Sequence, residues 1–154
     1  MKSAGHTLIL GIGNLLMGDE GVGVHAIRHI QQQQWPDNVR LLDGGTGGFH
    51  LLSFFKEYDP IVLIDATMDG KEPGTVTITK PRFASDFPRT LTAHDIGLRD
   101  LLESATLIGP LPELYLVAVT IREIKSMEME LSQTLRASLP RIAEAIRAIV
   151  TARL

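Results

Sequence analysis

The sequence predicts an α/β fold in which helices cover both faces of a mainly parallel β-sheet. Short apolar segments that end in Gly or Asp alternate with longer segments whose apolar residues recur at helical spacing. One short segment, residues 61–64, is apolar at every position, as a central strand with both faces covered requires. A chain of 154 residues without a linker or an internal repeat is expected to form one domain, residues 1–154.

The first strand is predicted over residues 7–12, and a helix is predicted over about 21–34. The loop between them ends with Asp19 and Glu20, at the carboxyl edge of the sheet, where open α/β sheets place their sites. The same two acids are also typical of a helix start, with Asp19 as the N-cap and Glu20 in the first turn. A dinucleotide fingerprint is excluded, because Leu16 stands in place of its third glycine.

The next two predicted strands each end on an aspartate. Residues 39–43 end on Asp43 and enter a glycine-rich turn that leads to a second helix, and the central strand ends on Asp65. A further strand, residues 75–79, follows Asp65 after a connection that is too short for a crossover helix. We therefore expect that strand to run antiparallel to the others.

The C-terminal half of the chain is predicted to add a loop, two helices and one strand. Residues 80–92 contain two prolines and indicate a surface loop, and His94 then precedes the third helix. The last strand is predicted over residues 114–119, and an amphipathic helix over 131–154. Pro140 must either kink that helix or restart it.

The composition excludes several classes of function. A net charge of -3 and a pI near 5.9 give no electrostatic reason to expect binding to nucleic acid or to a membrane surface. No apolar run approaches the ~20 residues of a spanning helix, and no signal peptide is visible, so we expect a cytoplasmic protein. The chain has no cysteine, so any metal site must use histidines and carboxylates.

Three candidate ligands fall at related places in the predicted sheet. Glu20 follows the first strand, Asp65 ends the central strand and His94 precedes the third helix, with Asp43 as a fourth candidate. The carboxyl ends of parallel strands open on one side, so these groups can converge there. One Glu, one Asp and one His suit Zn²⁺, Ni²⁺ or a similar ion, and three protein ligands leave positions open for catalysis.

Each of these residues also has an ordinary structural explanation. Asp65 could accept hydrogen bonds from the turn that follows it, and His94 could be a plain loop residue. His25 and His29 form a rival pair on one helical face, without an identifiable carboxylate partner. A receiver-like module would use Asp65 as phospho-acceptor and the acids of the first loop for Mg²⁺, but Mg²⁺ prefers oxygen ligands and would leave His94 without a role.

Four segments, in their order and spacing, resemble the hydrogenase maturation endopeptidases, which process the large subunit of nickel–iron hydrogenases. They are GIGNLLMGDEGVGVH (11–25), LLDGGTGG (41–48), VLIDA (62–66) and AHDIGLRDLL (93–102). The resemblance runs from residue 8 to about residue 119. It implies a three-layer α/β/α fold of the phosphorylase/hydrolase-like type, with a mixed five-stranded sheet in the order 2-1-3-5-4 and strand 4 antiparallel.

The resemblance also implies roles for particular residues. The metal-contacting and catalytic set of the family falls on Glu20, Asp65 and His94. The substrate-recognising turn falls on the four residues Asp43, Gly44, Gly45 and Thr46. In one respect the chain departs from the family, because residues 118–122 (AVTIR) replace the usual Gly-[Val/Ile]-x-Pro element after the last strand.

The implied activity is that of a metal-dependent endopeptidase. It would remove the C-terminal extension of the hydrogenase large-subunit precursor after nickel insertion, using nickel that the substrate supplies. We therefore expect a monomer with no permanently bound ion, although Zn²⁺ or Cd²⁺ could occupy the site. A non-catalytic chaperone of the large subunit would share this partner and would show no cleavage.

Overall fold

The structure is a computed structural model, and it describes residues 3–88 and 97–152. In this part of the chain, five strands form one sheet in the order β2-β1-β3-β5-β4. Neighbouring strands are parallel except for β4, which runs antiparallel to β5. The strands are β1 (Ser3–Gly11), β2 (Val39–Asp43), β3 (Tyr58–Thr67), β4 (Val76–Thr79) and β5 (Leu114–Thr120). The predicted fold class, strand order and antiparallel fourth strand are confirmed.

Helices cover both faces of this sheet. The α-helices are α1 (Val22–Ile30), α2 (Phe54–Glu57), α3 (Leu98–Ile108) and α4 (Gln133–Ala152). Short 3-10 turns precede α1 and α2 and lie before α3, at Gly18–Gly21, Phe49–Ser53 and Ala84–Asp86. None of the helices in residues 3–88 and 97–152 is long and apolar enough to cross a membrane.

The alternation of side chains along the strands divides the core into two layers. One layer packs beneath α1 and α4 and includes Ile9, Val62, Ile64, Val117 and Val119. The other packs beneath α2 and α3 and includes Leu8, Leu10, Ile61, Leu63 and Leu116. By the same alternation, Asp65 follows Ile61 and Leu63 and therefore belongs to the face that α3 covers.

Several element boundaries differ from the sequence-based prediction. Strand β1 begins at Ser3, and α1 ends at Ile30 because residues 31–33 continue only as turns. The second helix is a 3-10 turn followed by a single α-helical turn. Pro140 lies inside α4, which is continuous from Gln133 to Ala152, so the helix does not restart there.

The predicted surface loop after β4 is partly a core element. Phe87 is buried beside α3, and the Arg99 side chain donates hydrogen bonds to the carbonyl oxygens of Phe87 and Ser85. Burial of an aromatic ring outweighs the exposure that the two prolines suggest, because a phenylalanine contributes roughly 1.5–3 kcal/mol when it leaves water. Residues 89–92 of the predicted loop lie outside the described residues.

Candidate active site

The carboxyl ends of three neighbouring strands lie at one level of the sheet. Gly11 at the end of β1 is in register with Asp43 of β2 on one side and with Ile64 of β3 on the other. Asp65 is the next residue along β3. Asp43 and Asp65 therefore flank the strand whose following loop carries Glu20, as the sequence predicted.

Backbone hydrogen bonds hold the loop after β1 against this edge. The Ile12 N–H donates to the Ile64 carbonyl oxygen at 3.0 Å, and the Gly13 N–H donates to that of Gly45 at 2.8 Å. On the β2 side, the Gly44 N–H donates to the Gly11 carbonyl oxygen at 2.8 Å. The loop is thus joined both to the central strand and to the glycine-rich turn.

Gly23 explains how α1 can start so close to the sheet. A Cβ atom at this position would lie 2.2 Å from the Ile12 carbonyl oxygen and 2.4 Å from that of Ile64. Real Cβ atoms do not approach carbonyl oxygens so closely, so only glycine allows this contact. The first turn of α1, and the acidic turn before it, consequently lie directly on the ends of β1 and β3.

Glu20 is buried in the 3-10 turn that precedes α1. Its side chain is 6% exposed, and its Oε2 accepts a hydrogen bond of 2.6 Å from the Asn14 N–H. The turn contacts β3. Because a buried carboxylate is costly without hydrogen bonds, the Asn14 N–H stabilises the charged group at this position.

Asp65 is half-buried at the carboxyl end of β3. Its Oδ1 accepts a hydrogen bond of 2.9 Å from the Ala66 N–H. Ala118 lies opposite Asp65 on β5. This hydrogen bond supports the alternative explanation, in which Asp65 binds the backbone of the turn that follows it. That role is compatible with a second one, because a carboxylate has two oxygens and about four lone pairs.

His94, the third predicted ligand, lies outside the described residues, so the structure does not test the complete three-residue set. Among the residues that are described, no group of three or more His, Asp or Glu side chains is placed to hold a metal ion. Leu98, at the start of α3, is buried in the same layer as Leu10 and Ile12 near the end of β1. The first turn of α3 therefore lies on the face of the sheet to which Asp65 belongs.

Asp43 shapes the glycine-rich turn and stays accessible. Its Oδ1 accepts a hydrogen bond of 2.8 Å from the Gly45 N–H, and the residue is exposed. Gly45 has a φ of 57°, which favours glycine. Asp43 and the exposed Thr46 are consequently presented on a short turn that is tied to the loop after β1.

Comparisons with known proteins agree with this fold. The family model described as "Hydrogenase maturation protease" matches residues 24–149. The chain belongs to the hydrogenase maturation protease family. Members of this family include the "Hydrogenase 2 maturation protease" of Escherichia coli (strain K12), which is 31% identical to this chain over 144 residues that cover 92% of this chain and 88% of the relative.

Other relatives and solved structures cover most of the chain. The "Hydrogenase expression/formation protein HupM" of Azotobacter chroococcum mcd 1 is 37% identical over 151 residues, covering 94% of this chain and 71% of the relative. The solved structure of the hydrogenase maturating endopeptidase HybD from E. coli superposes with a TM-score of 0.85 at 30% identity. That match covers 96% of this chain and 93% of the other.

In this member of the family, Asp19 does not cap α1. The N-cap is Gly21, and no side-chain cap hydrogen bond is found for α1 within the described residues. Both Asp19 oxygens instead accept hydrogen bonds of 2.7 Å from Ser132, one from its N–H and one from its hydroxyl. The capping explanation was wrong, because the carboxylate points to the segment that precedes α4. No sequence pattern links two residues so far apart.

The segment between β5 and α4, residues 121–132, begins with the last two residues of the departure from the family pattern. It forms one wall of a cavity of about 400 Å³, whose other walls come from Gly18 and Asp19 and from Glu72 and Pro73. Arg122 lines this cavity. The residues that replace the usual family element therefore end beside the acidic turn.

His25 connects α1 to the same segment. Burial lowers the pKa of its imidazole, and the positive charge of Arg28 lowers it further, while Asp19 and a hydrogen bond to the Met129 backbone act in the opposite direction. The buried Nε2 atom has no hydrogen-bond partner among the described residues. His25 and His29, the rival metal pair, are not part of any group of three potential ligands in that part of the chain.

Proposed function

We propose that this protein is an endopeptidase that removes the C-terminal extension of a hydrogenase large-subunit precursor after nickel has been inserted. The partner is suggested by the family and by the maturation proteases that the chain resembles. The observation that supports the chemistry is the placement of Glu20. Its buried carboxylate lies in a turn packed against β3, the strand that ends with Asp65 at the same edge.

In this proposal Glu20, Asp65 and His94 bind the nickel ion of the precursor next to the scissile peptide bond. Two carboxylates and one imidazole match the donor preference of Ni²⁺ and of Zn²⁺. A divalent cation at this point polarises the scissile carbonyl group and lowers the pKa of a bound water, which then attacks the carbonyl carbon. The ion arrives with the substrate, so the protease needs no permanently bound metal, and only a nickel-loaded precursor completes the site.

Asp43 and the turn that follows it recognise the precursor rather than the metal. The turn is exposed and joined to the loop after β1, so a polypeptide that reaches Glu20 can contact it. The Asp43 carboxylate keeps one oxygen beyond the Gly45 hydrogen bond for such a contact. This arrangement separates the choice of partner from the cleavage step.

The decisive experiment incubates the protein with nickel-loaded and nickel-free precursor and follows the C-terminal extension by mass spectrometry. We expect cleavage of the nickel-loaded precursor alone. Cleavage of nickel-free precursor would refute the hypothesis that the substrate supplies the metal. Binding of the nickel-loaded precursor without any cleavage would favour the alternative function, a non-catalytic chaperone. Cd²⁺ titration of the isolated protein measures the same ligand set without catalysis, and an ion that survives chelator treatment would contradict the absence of a resident metal.

A further inference from the structure

The carboxylate of Asp19 joins the turn that carries Glu20 to the start of the C-terminal helix. Its Oδ1 accepts from the Ser132 N–H at 2.7 Å, and its Oδ2 accepts from the Ser132 hydroxyl at 2.7 Å. These are charge-assisted hydrogen bonds, about twice as strong as neutral ones. Two bonds to one residue also fix the orientation of the carboxylate, which a single bond would not.

The position of Ser132 is fixed by helix α4. Its hydroxyl oxygen also accepts from the Leu135 N–H at 3.3 Å, as expected of the residue that caps α4. Helix α4 is 20 residues long, and Leu135, Ile142 and Ile146 lie fully in the core. The position of Ser132 is therefore set by a helix that cannot move without disturbing the core.

Two backbone hydrogen bonds strengthen the same junction. The Gly18 N–H donates to the Glu128 carbonyl oxygen at 2.7 Å, and the Glu128 N–H donates to that of Leu16 at 3.1 Å. Because no side-chain cap was found at the start of α1 in the described part of the chain, the turn is fixed from outside its own helix. In this turn, Gly18 is followed by Asp19 and then by Glu20.

We propose that Asp19 is a positioning residue that sets the location of the Glu20 carboxylate through its clamp on Ser132. The clamp holds the turn at Asp19, and the Asn14 N–H donates to the carboxylate of the next residue, Glu20. Alanine at position 19 removes both acceptor oxygens, whereas asparagine can keep two hydrogen bonds, because its amide oxygen accepts from the Ser132 N–H and its NH₂ group can donate to the Ser132 hydroxyl oxygen. This inference rests on the proposed function of Glu20.

The test uses two disrupting variants, Asp19→Ala and Ser132→Asp. Ser132→Asp keeps a side-chain acceptor for the Leu135 N–H but places a carboxylate against Asp19. We expect each variant to lower kcat for nickel-loaded precursor by about 100-fold, as a misplacement of roughly 1 Å does, while KM stays near the wild-type value. Ser132→Thr retains both donors and should keep wild-type kcat, as should Glu144→Gln, which alters an exposed acid on α4.

The double variant Asp19→Asn/Ser132→Asp provides a rescue. The new amide NH₂ can donate to the new carboxylate, and the amide oxygen can still accept from the N–H of residue 132. We therefore expect the double variant to recover kcat above that of Ser132→Asp alone. An independent loss of stability at each position would instead make the double variant worse than either single one.

The Asn14 amide proton reports the position of Glu20 without catalysis, since it donates to the Glu20 carboxylate at 2.6 Å. In the folded Asp19→Ala protein, we expect this amide to exchange faster with solvent and to shift its NMR resonance. An unchanged Asn14 amide together with an unchanged kcat would overturn the clamp. Full processing by Glu20→Gln would instead refute the proposed function of Glu20, and the Asn14 amide would still decide whether the clamp positions that side chain.

Discussion

Glu113, at the amino edge of the sheet, makes different contacts from the acids at the carboxyl edge. At the carboxyl edge, the hydrogen bonds described for Glu20, Asp65 and Asp43 come from the backbone N–H groups of Asn14, Ala66 and Gly45. At the amino edge, Glu113 forms an ion pair with Lys80 at 2.9 Å and accepts a hydrogen bond of 2.6 Å from the Tyr115 hydroxyl. Glu113 also raises the pKa of the Lys80 ammonium group.

The two kinds of partner have different consequences for the binding of a metal ion by the carboxylate. A backbone N–H orients a carboxylate and stabilises its charge, but it leaves that negative charge in place for an arriving cation. A lysine neutralises the charge, and an exposed pair of this kind contributes little to stability or chemistry. The described contacts of the carboxyl-edge acids are compatible with an arriving cation, whereas the ion pair of Glu113 with Lys80 already provides one.

The largest expected effect is the loss of processing when a carboxylate at the carboxyl edge becomes neutral. Glu20→Gln and Asp65→Asn should each reduce kcat/KM for nickel-loaded precursor by about 10²–10³-fold, as removal of one electrostatic contact to a transition state does. We expect His94→Ala to behave alike, and any two changes together to cost little more, because residues that act on one ion are strongly non-additive. Mass spectrometry of the released extension measures the rates.

Stability should respond in the opposite way to these changes. Removing one of several neighbouring negative charges should leave the apo-protein equally stable or slightly more stable in urea unfolding. A loss of about 1.5–3 kcal/mol would instead mark a carboxylate whose main role is its hydrogen bond to a backbone N–H. Full processing by Glu20→Gln or by Asp65→Asn would contradict the distinction drawn between the carboxyl-edge acids and Glu113.

A second expected effect concerns the contact that brings α1 onto the sheet. Gly23→Ala would place a methyl group 2.2–2.4 Å from the carbonyl oxygens of Ile12 and Ile64. We expect a destabilisation of about 1–3 kcal/mol, because the helix must shift away from the strands. Processing should fall as well, since the shift moves Glu20 relative to Asp65. Gly109→Ala is the matched control, because a Cβ atom there would meet no neighbour within 4 Å.

A smaller and more selective effect is expected for Asp43. The variant Asp43→Asn keeps an oxygen that can accept from the Gly45 N–H, so the turn should persist. We expect it to change which precursor is processed, or the KM for it, while Cd²⁺ titration of the isolated protein stays nearly as in the wild type. Loss of Cd²⁺ binding would move Asp43 into the ligand set and contradict its role in recognition.

The smallest expected effect is a pH dependence of stability from His25. Its pKa is lowered from 6.5 in the folded protein, mainly by burial, so the unfolded chain binds the proton more readily. The contribution of the neutral His25 ring to the free energy of unfolding is therefore fully present above pH 6.5. It is lost as the pH falls through the lowered pKa that the ring has in the folded protein. Urea unfolding between pH 7.5 and 5 should show a steeper loss of unfolding free energy for wild type than for His25→Gln. Parallel curves would show that burial of this ring carries no such penalty.

The residues at the strand ends could be predicted because strand patterns are local. A fully apolar segment followed by Asp65, and an apolar segment followed by Asp43, identify the ends of parallel strands, and parallel register brings such ends to one edge. The antiparallel β4 followed from the length of one connection. These inferences need no knowledge of distant contacts.

The contacts that depend on distant parts of the chain could not be predicted. Asp19 accepts hydrogen bonds from Ser132, which lies 113 positions away. The local sequence around Asp19 is equally typical of a helix N-terminus, so it could not reveal this contact. The prolines near Phe87 indicate a surface loop, but the burial of the Phe87 side chain depends on its packing in the core layer beneath α3. Tertiary contacts decide such positions, and a local pattern does not contain them.

The strand order has a consequence for how the protein gains activity during folding. The chain lays β2 on one side of β1 and then crosses to the other side to place β3, so the crevice opens where the direction of winding reverses. A partly folded chain that has formed only β1, α1 and β2 carries Glu20 and Asp43 but has not yet positioned Asp65. Under the proposed function, the acids of the carboxyl edge come together only when the central strand docks, so a chain without docked β3 would lack part of the proposed ligand set.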